Sequence, residues 1–140
     1  MNRAELCRII ELPRNASLSQ TAAENDADFR LGIVCMTKRP ANFETWLAYH
    51  RDVVGVARFY LRVEDTPWLE PYLSQPPWCD CVQANFARAT VRDWADQTAR
   101  QMTHVTISIN CARKDGVTHL LHCDDDEVQR DACARPSALP

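Results

Sequence analysis

Glycine is scarce in this chain, with three in 140 positions, and Gly32, Gly55 and Gly116 are isolated from one another. There is therefore no glycine-rich loop of the kind whose successive backbone N–H groups cradle a phosphate. Long hydrophobic runs are missing too. The longest, Leu31 to Met36, falls far short of the roughly 20 residues that cross a bilayer. Leu6, Ile9, Ile10 and Leu12 are too few for the apolar core of a signal peptide, so the expectation is a soluble chain, cytoplasmic by default, with no membrane segment. A surplus of basic residues is also lacking: 16 Lys and Arg stand against 19 Asp and Glu, a net charge of −3. That excludes the basic footprint of a nucleic-acid partner.

What is present fits one packed domain, because 46% hydrophobic and 25% charged residues match a globular composition. Cysteine is abundant, but the count of seven is odd, and Cys35 and Cys123 sit inside apolar stretches. Most read as small buried apolar residues rather than as a disulfide framework. Cys79 and Cys81 are too close together for a usual zinc pair, and no second pair follows.

Residues 3–12 read as a short amphipathic helix ended by Pro13, and residues 14–28 as a polar linker. Residues 1–28 are accordingly expected to add little to stability, with the ordered domain spanning 29–127 and an irregular tail over 128–140. Leu31 to Thr37 is a continuous apolar run suited to a strand buried on both faces. Phe43, Trp46, Leu47 and His50, spaced three and four apart, predict a helix from Phe43 to about Val53, stopped by Gly55. A second strand covers 57–63. Thr66 and Pro67 then read as the N-cap and first position of a helix whose Trp68, Leu69, Tyr72 and Leu73 face inward, ended by Pro76-Pro77. Cys79 to Ala84 reads as a third strand.

From Val91 to Ala112, Trp94, Ala95, Thr98, Ala99, Met102, Val105 and Ile109 continue a helical spacing, with Gly116 closing it. Thr103 to Ile109 also alternates like a strand, but the stripe continues on both sides and favours the helix. Arg88, Arg92 and Arg100 read as its solvated side, and Trp46, Trp68, Trp78 and Trp94 as core anchors. Val117 to Cys123 is a strand leading into the acidic run. Strands alternating with helices give an α/β fold with a mostly parallel sheet and flanking helices.

Ligands bind such sheets outside the carboxyl ends of the strands. Three polar groups fall there: Thr37-Lys38-Arg39, Glu64-Asp65, and Asp124-Asp125-Asp126-Glu127. Four consecutive carboxylates repel one another, and partial burial raises their pKa values unless a cation offsets them. Mg²⁺ or Mn²⁺, which take oxygen ligands and bridge to phosphates, would do so. On an extended backbone Asp124 and Asp126 share a side. The plain alternative is a solvated acidic turn. His50 reads as a core residue. His119 and His122, three apart on a strand, face opposite ways, so at most one approaches an ion at this run.

The segment from Asn110 to Glu127, ending in the acidic run, resembles the DxD-bearing segment of family-2-like glycosyltransferases and of glycosyltransferase family 92. The segment from Ile33 to Asp65, with Glu44, Trp46, Leu47 and His50 in matching places, is similar to their opening. The resemblance implies the N-terminal half of a nucleotide-diphospho-sugar transferase (GT-A) fold and sugar transfer from a nucleotide-sugar donor to a glycan or other acceptor. It implies that Asp124 and Asp126 hold a divalent cation, Mn²⁺ or Mg²⁺, on the donor diphosphate, with Asp125 beside them. Glu64 and Asp65 match an acidic position that contacts the nucleoside, and Thr37 and Arg39 lie where base and phosphates are held. The chain departs from the pattern in having Lys38-Arg39 where Asn-Glu is usual, Glu-Asp-Thr-Pro in place of a longer loop, and His119 where tryptophan is common. Only about a dozen residues follow the DxD, which reads as truncation before the acceptor half. The other readings are an inactive remnant that binds without catalysis, and an unrelated small α/β domain of flavodoxin-like layout that binds Mg²⁺ for phosphoryl chemistry.

Overall fold

A computed structural model describes residues 8–12, 29–89 and 94–127. Five strands form one sheet in the order β1-β5-β2-β3-β4. These are β1 (Arg8–Glu11), β2 (Leu31–Lys38), β3 (Arg58–Glu64), β4 (Val82–Ala87) and β5 (His119–His122). Strands β2 to β5 are mutually parallel, and β1 runs antiparallel to β5. The architecture is a mixed, mostly parallel α/β sheet, as the alternating pattern predicts.

Strand β2 is the centre of the molecule. Leu31, Ile33 and Cys35 face one layer, which holds α1 (Phe43–Tyr49), α2 (Leu69–Leu73) and α3 (Trp78–Cys81). Val34 faces the other layer, formed by the single helix α4 (Trp94–Lys114) with Leu12, Tyr60, Val117 and Leu120. A strand buried on both sides has to be apolar at consecutive positions, which is why this segment shows no alternation. Gly32 lies on the α4 side, where an added Cβ would come within 3.1–3.3 Å of Val117, Leu120 and Tyr60. A side chain there would force these neighbours to shift by a few tenths of an ångström.

Helix α1 buries Phe43, Trp46 and Leu47, the face that its spacing predicts, and passes into a π-helical turn, His50–Val54. Gly55, at φ 83°, ends it in the left-handed conformation that favours glycine.

Several expectations are corrected. Residues 8–11, expected in a helix, form an edge strand, and Leu12 is only 4% exposed within the α4-side core. Pairing with β5 across the length of the chain overrides a weak local helical preference. Residues 8–11 thus belong to the sheet, and Leu12 to the core. Cys79 and Cys81 belong to the short helix α3, and β4 starts only at Val82. Thr66 caps no helix through its side chain, since α2 starts at Leu69 with Trp68 at its N-cap.

Trp46 and Trp78 are buried, whereas Trp68 and Trp94 are 60% and 78% exposed and anchor nothing. Helix α4 buries His104, Val105, Ser108 and Ala112, while Met102, expected inward, is exposed. The apolar spacing misleads here because polar side chains on the buried face find partners. His104 Nε2 meets the Tyr60 carbonyl at 3.1 Å, and Gln101 meets His122 at 2.9 Å. Arg100, expected on the solvated side, reaches inward to Glu64. Val91 and Arg92, the linker 14–28 and the tail 128–140 lie outside the described residues.

Candidate functional site at the carboxyl edge

Parallel pairing brings the ends of β2, β3 and β4 into line, with Lys38 opposite Glu64 and Glu64 opposite Ala87. Strand β5 stops lower. His122 lies opposite Val34, and Cys123 N donates to the Val34 carbonyl at 3.3 Å. The acidic run therefore starts below the rim and climbs beside the last residues of β2. There the Thr37 hydroxyl donates to the Asp125 carboxylate, joining positions 88 residues apart.

The run is a turn rather than an extended strand. Glu127 N donates to the Asp124 carbonyl at 3.2 Å, and Asp124 N donates to the Glu127 carboxylate at 3.2 Å. The expectation that Asp124 and Asp126 share one side through extended geometry is corrected accordingly. Asp126 is exposed, and Asp124 and Asp125 are half-buried. Burial raises the Asp124 pKa first, and Glu127, Asp126 and Asp125 add to the rise, with His122 opposing it. Beneath lies Cys35, fully buried, whose thiol is pushed well up by burial and by the nearby Cys123 and carboxylates. It is an inert packing residue. His122, on the α4 side, has its pKa lowered by burial, an effect that Asp124 and Glu127 oppose.

The loops after β2 and β3 form a second cluster. Arg39 N donates to the Thr66 hydroxyl at 2.8 Å, and that hydroxyl donates to the Glu64 carbonyl at 2.7 Å. Thr66, predicted as a helix cap, instead ties the two loops together. Lys38 pairs with Asp65 at 3.1 Å, and Asp65 also accepts the Ala89 N–H. Arg39, Asn42 and Asp65 all have φ between 47° and 55°, the left-handed region that non-glycine residues seldom occupy. All three lie in loops leaving this edge, and such backbone outliers concentrate at functional sites.

Of the residues singled out from the sequence, Thr37, Asp124, Asp125 and Asp126 gather between β2 and β5. Arg39 and Asp65 flank them over β2 and β3. Glu64 does not join: its side chain is 3% exposed and held by Arg62 and Arg100, both at Oε1 and the latter also at Oε2. Burial would raise its pKa, but hydrogen bonds from Arg100 and Arg62 outweigh that and hold it below the ordinary value. Glu64 is thus held in a buried ion-pair cluster within the fold.

Among the described residues no group of three or more His, Cys, Asp or Glu stands ready to hold a metal ion. The carboxylates of the turn nonetheless suit a hard cation, which binds through one or two carboxylates and completes its shell with water and phosphate oxygens.

Trp46, predicted only as a core anchor, also touches the site: its indole N–H donates to the Glu127 carbonyl at 2.9 Å. Nothing local in the sequence signals this contact, which spans 81 positions. Comparison with protein-family models, with curated proteins and with solved structures returns no match.

Proposed function

We propose that this domain is the donor-binding part of a GT-A-type glycosyltransferase, holding a nucleotide sugar through a divalent cation at the acidic turn. One observation carries the reading. The parallel strands run in the order β5-β2-β3-β4, so chain direction across the sheet reverses between β2 and β5, and the acidic turn lies at that reversal. Ligands of open α/β sheets bind in the crevice at such a switch point.

In this reading Asp124 and Asp126 hold Mn²⁺ or Mg²⁺, and Thr37 orients Asp125 through its hydroxyl. Arg39, exposed at the neighbouring loop, supplies positive charge to the diphosphate, and Asp65 serves the ribose as an acceptor. When bound, the cation neutralises charge on the departing diphosphate. The raised Asp124 pKa supports the reading, because a carboxylate crowded by like charges gains most from a cation.

Calorimetric titration with uridine and guanosine diphosphates, with and without Mn²⁺, tests it. Binding should require Mn²⁺ and should weaken at least about tenfold in Asp126→Asn, the loss expected on removing a metal ligand. Absence of Mn²⁺-dependent binding of either nucleotide would leave the run as a solvated acidic turn.

A further inference from the structure

The Trp46-to-His50 helix and the acidic run, both within segments that carry the family resemblance, meet in space at the hydrogen bond from the Trp46 indole N–H to the Glu127 carbonyl. Its donor is held unusually firmly. The Trp46 indole is 5% exposed, stacked on Phe43 at 5.4 Å and 12° between planes, and packed against His50 at 4.4 Å and Phe59 at 6.2 Å. His50 is itself fixed: its Nδ1 lies 2.8 Å from the Trp46 carbonyl, which can only accept, so Nδ1 carries the proton. Burial lowers the His50 pKa and keeps the ring neutral. Its Nε2 is buried without a hydrogen-bond partner among the described residues, and the ring's contacts are its packing and its bond to Trp46.

The acceptor end is a turn that is half-buried at Asp124, Asp125 and Glu127 and exposed at Asp126. Glu127 N and its carboxylate both bond to Asp124, so fixing the Glu127 peptide also fixes where Asp124 sits. The chain of constraints runs from three aromatic rings, through one indole N–H, to the backbone that presents the acidic side chains.

We infer that Trp46 is a positioning residue for the acidic turn, setting its cation affinity through the indole N–H rather than through packing. This rests on the reading of the turn as a cation site. The phenyl ring of Trp46→Phe keeps the stacking on Phe43 and His50 but removes the donor. Leu47→Val, in the next residue on the buried face of the same helix, costs packing and leaves the donor in place. The turn then samples geometries in which its carboxylates diverge, and partners that orient metal ligands are typically worth about tenfold or more in affinity.

The experiment is a Mn²⁺ titration of the full chain, counting free ion by electron paramagnetic resonance, with thermal unfolding of each variant in parallel. Trp46→Phe should bind Mn²⁺ about tenfold more weakly than the wild type, while Leu47→Val binds like the wild type despite a lowered melting temperature. In the wild type the Trp46 indole N–H resonance should shift on addition of diamagnetic Mg²⁺. Equal affinity of Trp46→Phe and wild type would overturn the positioning role and leave the cation site standing. Equal weakening in both variants would assign the loss to packing and also overturn it. A wild type that binds no Mn²⁺ would sink both the site and this inference.

Discussion

Strands β3 and β5 each end in consecutive carboxylates at the same edge of the same sheet, and the two groups are neutralised very differently. At β3, Glu64 is buried between Arg62 and Arg100, and Asp65 is paired with Lys38. At β5, Asp124, Asp125 and Asp126 form no salt bridge among the described residues; the neighbours that raise the Asp124 pKa, after its burial, are other carboxylates. The carboxylates of the β3 end are paired with basic side chains within the fold, whereas Asp124, Asp125 and Asp126 of the β5 end have no basic side chain in a salt bridge with them among the described residues. Acid at a strand end is thus not diagnostic of a ligand site. The decisive feature is whether the fold supplies its own counter-charge.

The comparison is open to attack at both ends. The largest effect is expected at Glu64. Glu64→Ala leaves Arg62 and Arg100, 22% and 14% exposed in their side chains, without their shared carboxylate. Breaking a buried pair in this way costs roughly 3 kcal/mol, which urea unfolding would register. A loss below about 1 kcal/mol would place this pair with ordinary surface bridges.

At Asp124 the sign should reverse. Without metal, Asp124→Asn should stabilise the protein by about 0.5 kcal/mol at neutral pH, since it relieves crowding of like charge at a half-exposed position. The two groups also oppose each other in pH dependence. The depressed Glu64 pKa gives stability present above the ordinary carboxylate range and lost as pH falls through the lower folded value. The raised Asp124 pKa favours the folded state in acid, a contribution complete below the ordinary value and lost as pH rises through the raised one. Unfolding curves from pH 3 to 8 for wild type and Asp124→Asn should therefore diverge towards neutral pH.

The smallest effect belongs to the exposed Lys38–Asp65 pair. Lys38→Ala should leave the unfolding midpoint unchanged within error, because solvent screens such pairs. A measurable loss would mean that β3 depends on its rim contacts as well as on its buried ones.

The sequence alone reveals the parts of this molecule whose neighbours demand one kind of residue. Strand β2 needs apolar side chains on both faces and helix α1 needs them on one, so Leu31 to Thr37 and Phe43 to His50 are readable by pattern. Strand β1 is not, because its four residues are strand only by virtue of β5, which lies more than a hundred positions away. The buried face of α4 is legible only in part: Val105 and Ala112 fall on the apolar stripe, whereas Gln101, His104 and Ser108 are polar and join that face through partners the sequence does not show.

The gathering of Thr37, Asp65 and Asp124 at one edge follows from parallel topology and was legible. The inward turn of Glu64 was also available in principle. Tyr60, Arg62 and Glu64 alternate on a single strand, so all three face the α4 layer, where Tyr60 packs and Arg100 waits. The contact between Trp46 and Glu127 was not legible, because it depends on where a turn crosses the end of a helix.

The late position of β5 in the chain has a kinetic consequence. Thr37 meets Asp125 across 88 residues, Trp46 meets Glu127 across 81, and β5 pairs through only four residues with each of its neighbours. Closing loops of that length has an entropic cost that is met before any contact compensates for it, so these pairings are expected to form late on the folding path. A chain that has paired β2, β3 and β4 already has three of its five strands and none of its acidic turn. The same asymmetry operates in reverse in the native state. Transient release of β5, which β1 would follow, undoes the acidic turn while β2, β3 and β4 stay paired, so amide exchange at Leu120 and Leu121 reports the free energy of opening that part of the site.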